Sequence, residues 1–324
     1  MSGLFSHGYA LIVGVGDDLP LTVEDATAVA SLFRDPSRCA YPDDQVQLLT
    51  NERADRAHIL TALDTLAEQA NADSNSIAIV YFSGHGGATP EPHLVPFGYD
   101  PNDLSSTAIT GRLFTEKLQA IKSQKLLVLL DCCHAGAQAS AKSPIPSSVI
   151  SELKRSSGRV VIASSRRDEL SYTGRPYSVF TTALLEALAG YGAFERDGYA
   201  RVLDIALYVG RFVPNRTSDK QNPIISVSNL ESNFAISYYA AGGTQIRKLN
   251  WIKSSDISDI PEVLNSTQIQ SWQRRLNTRR RNLLLIQERM SEYVEYQEIP
   301  LQLIISKQET EAEILNLESS LSSR

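Results

Sequence analysis

Short apolar runs alternate with amphipathic stretches along the first two thirds of the chain. Residues 9–16 (YALIVGVG), 46–49, 76–82 (SIAIVYF), 125–130 (KLLVLL) and 159–163 (RVVIA) are runs of strand length, mostly rich in β-branched or aromatic residues. Their continuous apolar character, without alternation, predicts strands buried on both faces. Between them lie segments of helical spacing. Residues 25–33 carry Ala26, Val29, Ala30 and Phe33 on one stripe, with Thr22 and Asp25 available as caps. Residues 57–70 place Ile59, Leu60, Leu63 and Leu66 on one face. Further helices are expected over 115–121, 178–189 and 202–212, and further strands over 224–227 and 233–239. This alternation predicts an α/β fold: a three-layer α/β/α sandwich around a mostly parallel central sheet.

The pattern changes after Ala241-Gly242-Gly243. From residue 261 to 324 there is no glycine, Pro300 is the one internal proline, and Glu, Gln, Arg, Leu and Ile dominate. Two long helices parted at Pro300 would make a C-terminal α-helical hairpin. The expected division is therefore residues 1–245 as the α/β domain and 246–324 as the hairpin. Within the second part, Arg274, Arg275 and Arg279 to Arg281 precede an apolar stretch at 283–286, followed by Met290 and Val294. A helix with one charged and one apolar face satisfies this pattern; a regulatory or partner-binding surface would satisfy it too.

Composition narrows the class. The 324 residues are 42% hydrophobic and 21% charged, which is ordinary for a globular protein with a sizeable core. A net charge of -6 argues against nonspecific nucleic-acid binding, and five arginines with Trp272 are a weak counter-argument. Three cysteines, two of them adjacent, are no disulfide framework. No basic segment followed by an apolar run opens the chain, and no stretch approaches the ~20 apolar residues of a membrane span. A cytoplasmic protein with reduced thiols and no membrane partner is expected.

Two of the expected strands finish in reactive residues. The run at 76–82 leads into Ser83-Gly84-His85-Gly86-Gly87, and that at 125–130 leads into Asp131-Cys132-Cys133-His134. Parallel sheets gather their binding and catalytic groups beyond the C-terminal strand ends. Cys133 can supply a nucleophilic sulfur, His85 a base, and the backbone N–H groups around Gly86 and Cys133 an oxyanion site. The 48 residues between the pair are enough for one helix and its connections, so the two strands can be neighbours. Taken singly, a Cys after a buried strand is more often a small core residue, and a His a satisfied polar one. Zinc binding by Cys132, Cys133, His134 and His85 is a further option, although adjacent ligands lack the usual gap.

Ser83-Gly84-His85-Gly86 and Asp131-Cys132-Cys133-His134-Ala135-Gly136, in this order, resemble the paired motifs of metacaspases and their bacterial relatives, the orthocaspases. The surrounding frame is similar as well, from ALIVGV at Ala10 through Asp25-Ala26 and HLVPFGYDPND to QNPII at Gln221, so that the resemblance spans roughly residues 8–230. It implies a caspase-like cysteine endopeptidase fold, with His85 and Cys133 as the dyad and Cys132 as a packing residue. It further implies cleavage of proteins after Arg or Lys, with Asp25 and Asp131 in the pocket for that side chain. Ser164, Ser165 and Asp168 would line its other wall. Lys142, Lys154 and Arg155 fall where such enzymes are often cut by themselves.

The departures from that family bear on metal. Many metacaspases bind calcium through acidic clusters. Asp100 and Asp103 offer carboxylates, but Ala108-Ile109-Thr110-Gly111 stands where an acidic pair would be expected, and residues 135–148 contain no acid. Calcium takes six to eight oxygens, and the expectation is an enzyme with no metal and no other cofactor. Bacterial caspase-like proteins are often triggered proteases of defence or cell death, which implies an activator or regulatory protein acting through the hairpin. A caspase-fold scaffold without turnover and a thiol hydrolase acting on another acyl substrate are the competing expectations.

Overall fold

The computed structural model describes residues 5–87, 92–134, 158–165, 169, 171–239 and 244–249, together with eight residues between 280 and 314. The side chains of Cys133 and His134 lie outside this description. The chain divides into two compact units, Met1–Leu249 and Asn250–Arg324. In the second, the described residues Arg280, Leu283, Gln287, Met290, Lys307, Thr310, Glu311 and Ile314 are all helical. Lys307 and Glu311 form an ion pair at 3.7 Å, one helical turn apart.

In the first unit each apolar run becomes a strand. They are β1 (Gly8–Gly14), β2 (Val46–Thr50), β3 (Ile77–Gly87), β6 (Leu126–His134) and β7 (Arg159–Ala163). Two-residue strands β4 (His93–Leu94) and β5 (Ile109–Thr110) intervene, and β8 (Tyr199–Arg201), β9 (Ile224–Ser228) and β10 (Ala235–Tyr238) follow. Six α-helices are described: α1 (Leu21–Arg34), α2 (Arg56–Ala72), α3 (Leu104–Thr107), α4 (Gly111–Ala120), α5 (Val179–Leu188) and α6 (Val202–Arg216).

The main sheet runs in the order β2-β1-β3-β6-β7-β9. All its neighbours on this path are parallel except β7 and β9, which are antiparallel. Helices cover both faces. On one, Ile59, Leu63 and Leu66 of α2 and Phe114 and Leu118 of α4 join Leu11, Val13, Val80, Phe82, Val128 and Leu130 in a single core cluster. On the other, α1 and α5 bury Ala26, Val29, Phe33, Phe180 and Leu184. Each such large apolar side chain taken fully out of water contributes ~1.5–3 kcal/mol before chain entropy is counted. Continuous apolar runs follow from this arrangement, because neither face of the central strands meets solvent.

The strand expected over 233–239 is β10, which pairs with β8 in a separate two-stranded sheet. The structure corrects two details of the sequence reading. Helix α1 is not capped by Thr22 or Asp25. Its N-cap is Pro20, Thr22 lies in the first turn with its hydroxyl on Gly16 N and Leu19 O, and Asp25 is buried at 1% exposure. Helix α4 begins at Gly111, capped by Thr110, ahead of the apolar stripe that marked its later part. Among the described residues no helix is long and apolar enough to cross a membrane.

Candidate active site

Strands β3 and β6 continue in parallel register past their apolar runs, and this extension assembles the site. Ser83 pairs with Asp131, Gly84 with Cys132, His85 with Cys133 and Gly86 with His134. The two motifs 48 residues apart are thereby brought side by side, one strand spacing of ~4.8 Å from each other. Strand alternation puts positions 131 and 133 on one face of the sheet and position 132 on the other. Cys132 is accordingly 1% exposed in the apolar core on the α2 and α4 side. Gly86 sits between Leu94 of β4 and His134 of β6, one residue past the imidazole.

His85 is held from a third strand end. Its Nε2 lies 2.9 Å and 3.0 Å from the two carboxylate oxygens of Asp18, in the turn after β1. The His85 side chain is 13% exposed, and that of Asp18 69%. Nδ1 of His85 is buried and has no hydrogen-bond partner among the described residues. Asp18 was not legible in the sequence, since nothing distinguishes it from Asp17 beside it or ties it to a histidine 67 residues on.

Asp25 and Asp131 come together from α1 and β6. Ser178, the N-cap of α5, joins them: its N–H donates to Asp25 Oδ1 at 2.9 Å and its hydroxyl to Asp131 Oδ2 at 2.5 Å. Thr181 Oγ1 donates to the same Asp131 oxygen at 3.2 Å, and Ser171 Oγ to the other at 2.9 Å. Gln221 supports the wall, donating from Nε2 to Ser164 O and Ser171 Oγ at 2.9 Å and 3.2 Å. Among the described residues no arginine or lysine is hydrogen-bonded to the pair. Burial first, then repulsion by Asp131, pushes the Asp25 carboxyl up to about 8. Burial likewise raises Asp131, against the hydrogen bonds from Ser178, Ser171 and Thr181 that favour its charged form.

The pair has a consequence for stability. A carboxyl in the unfolded chain titrates near 3.8, so between about 4 and 8 the folded pair holds a proton that the unfolded chain has lost. Stability is therefore greatest below the unfolded value and falls as pH rises through this window. Asp25→Asn keeps an acceptor for Ser178 N–H and removes the charge. It is expected to raise stability at pH 8 by roughly 2–5 kcal/mol relative to wild type, with the difference vanishing near pH 4. Thermal melts of both proteins across this range check it; parallel pH profiles would show that the pair is not strained.

Of the other residues singled out in the sequence, Ser164 and Ser165 are each 1% exposed just past β7, where Ser164 N–H donates to Leu130 O. Asp168, Lys142, Lys154 and Arg155 lie outside the described residues. Asp103 caps α3 through Ser106 N–H, and Asp100 accepts from Asn102 in a local turn. Among the described residues no group of three or more His, Cys, Asp or Glu could hold a metal ion. Ser171, Ser178 and Thr181 escaped the sequence reading as site residues because they belong to a loop, a cap and a first helical turn that only tertiary packing brings to Asp131. An open cleft of about 780 Å³ adjoins the site, between residues 19–24 and 173–176.

The family model described as Caspase domain matches residues 7–235. A search of curated proteins finds no match to this sequence. Among solved structures, the chain is similar to a protein from Geobacter sulfurreducens at 17% identity, with a TM-score of 0.46 over 68% of this chain and 93% of that one. It is also similar to the Drosophila initiator caspase Dronc at 10% identity, with a TM-score of 0.46 over 74% of this chain and 85% of that one.

Proposed function

Because the chain belongs to the caspase-domain family of cysteine peptidases, we propose that it is an endopeptidase cutting proteins after arginine or lysine, with Cys133 as nucleophile and His85 as base. The observation that carries the specificity is the buried Asp25–Asp131 pair bridged by Ser178, with Asp131 two residues before Cys133 on the strand that pairs with that of His85. A pocket that holds two acidic side chains, with no cation against them among the described residues, favours a cationic side chain. Arg would meet them through paired, charge-assisted N–H donors, and Lys through a point charge. An aspartate side chain there would add a further negative charge to a desolvated site. The cleft between residues 19–24 and 173–176 then offers room for the substrate residues that precede the cut.

The chemistry follows the usual two steps of acyl transfer. His85 takes the thiol proton as the Cys133 sulfur attacks the carbonyl carbon, and the oxyanion is met by backbone N–H groups near Gly86 and Cys133. Collapse breaks the C–N bond while the imidazolium gives its proton to the departing amine. Water then attacks the thioester with His85 again as base, releasing the carboxylate product and the thiol. No step draws on a metal.

A panel of fluorogenic peptides differing only at the residue before the cut tests this reading. Arg and Lys peptides are expected to exceed Asp and Gln peptides by at least about 100-fold in kcat/KM, the scale set by one desolvated charge contact. Preference for Asp would reverse the assignment of the pocket.

A further inference from the structure

We propose that Asp18 is a positioning residue that fixes the tautomer and orientation of His85, so that Nδ1 is the nitrogen that takes the proton. The inference rests on the reading of His85 as base and adds a third member to it. A carboxylate can only accept a hydrogen bond, so a neutral imidazole facing Asp18 across 2.9 Å must carry its proton on Nε2. Nδ1 is then the bare nitrogen. It is also the buried one with no hydrogen-bond partner among the described residues, on the strand position in register with Cys133. Without Asp18 the ring is free to take either tautomer and to flip about its outer bond, and one of those states offers an N–H where a lone pair is required.

The turn that presents Asp18 is built for this placement. Val15 N–H donates to Ser83 O at 3.0 Å, which ties the end of β1 to β3 two residues before His85. Gly16 and Asp17 both adopt positive φ, +76° and +57°, and Leu19 N–H closes the turn on Gly16 O at 3.0 Å. Thr22 Oγ1 accepts from Gly16 N–H at 2.8 Å and locks the turn to α1. Left-handed backbone is uncommon for a residue other than glycine and asparagine-like side chains tolerate it best. The contact itself gives the fold little, since an ion pair with one partner 69% exposed is largely screened. An orienting role explains the shaped turn; a stabilising role does not.

The test uses the full-length chain. With a saturating Arg peptide, Asp18→Ala is expected to lower kcat by about 10–100-fold, the range for an outer partner of a functional histidine. KM should stay within about twofold and the melting temperature should be unchanged. Asp17→Asn, in the same turn, should retain wild-type kcat. In ¹⁵N spectra the neutral His85 ring of wild type should show the Nε2–H form, and that of Asp18→Ala a mixture of the two. Wild-type kcat in Asp18→Ala, or an unchanged tautomer, would overturn the inference. Lack of any Arg cleavage by wild type would instead count against the peptidase reading, because the ring spectra report on the Asp18 contact without turnover.

Discussion

Replacing Cys133 by alanine is expected to lower the cleavage of an arginyl peptide by at least about 1,000-fold, and toward 10⁶-fold if no other group can attack. Removing the sulfur leaves the pocket, the base and the oxyanion donors in place, so peptide binding should survive while the chemical step is lost. The neighbouring thiol makes the comparison sharp. Cys132 is 1% exposed on the core side of β6, among Val80, Leu130 and Ala163. Cys132→Ala should cost stability of ~1 kcal/mol as a small core truncation and keep most of the activity. Progress curves on the fluorogenic peptide, with melting curves for each variant, check both statements. Loss of activity in Cys132→Ala with Cys133→Ala unaffected would exchange the two assignments.

Asp131→Asn is expected to reduce kcat/KM for an Arg peptide by roughly 30-fold to several thousand-fold, because one buried charge facing a cation contributes ~2–5 kcal/mol when truncated. The substitution preserves shape and acceptors: Ser171 Oγ can still meet Oδ1, and the hydroxyls of Ser178 and Thr181 can turn to accept from the new amide. The loss should therefore be selective. A peptide with Gln before the cut should be affected far less, so the Arg-to-Gln ratio collapses. Folding should not suffer, since relieving repulsion with Asp25 offsets the altered hydrogen bonds. An Arg-to-Gln ratio equal to that of wild type would remove Asp131 from the pocket.

The main sheet was readable because its strands are buried on both faces, and continuous apolar runs such as KLLVLL have few other uses. The site was readable where it follows a strand end. His85 and Cys133 stand at the tails of two such runs, and their pairing required only that the strands be neighbours. What escaped was of two kinds. Strands β4, β5 and β8 are two or three residues long, too short to repeat a hydrophobic period, and are fixed by the partners they pair with. The supports of the site come from caps and turns: Ser178 at the start of α5, Ser171 in the loop before it, and Asp18 after β1. Polar residues of this kind usually serve local backbone geometry. Ser178 does that too, accepting from Thr181 N–H at 2.9 Å while it donates to Asp131. Its second role exists only in three dimensions. Asp25 shows the reverse error: near a helix start it suggests a cap, and burial against Asp131 gives it another place.

A reactive thiol at position 133 and a neighbouring pocket for a cationic side chain can be tested together in one covalent labelling experiment. Peptidyl chloromethyl ketones that differ only in Arg or Asp at the last residue, from which the thiolate displaces chloride, are incubated with the full-length chain, and the thioether adduct is located by mass spectrometry after digestion. A single adduct on Cys133 is expected with the Arg reagent, blocked by prior addition of an Arg peptide, and none with the Asp reagent. Labelling on Cys132 or Cys39, or a preference for the Asp reagent, would contradict it.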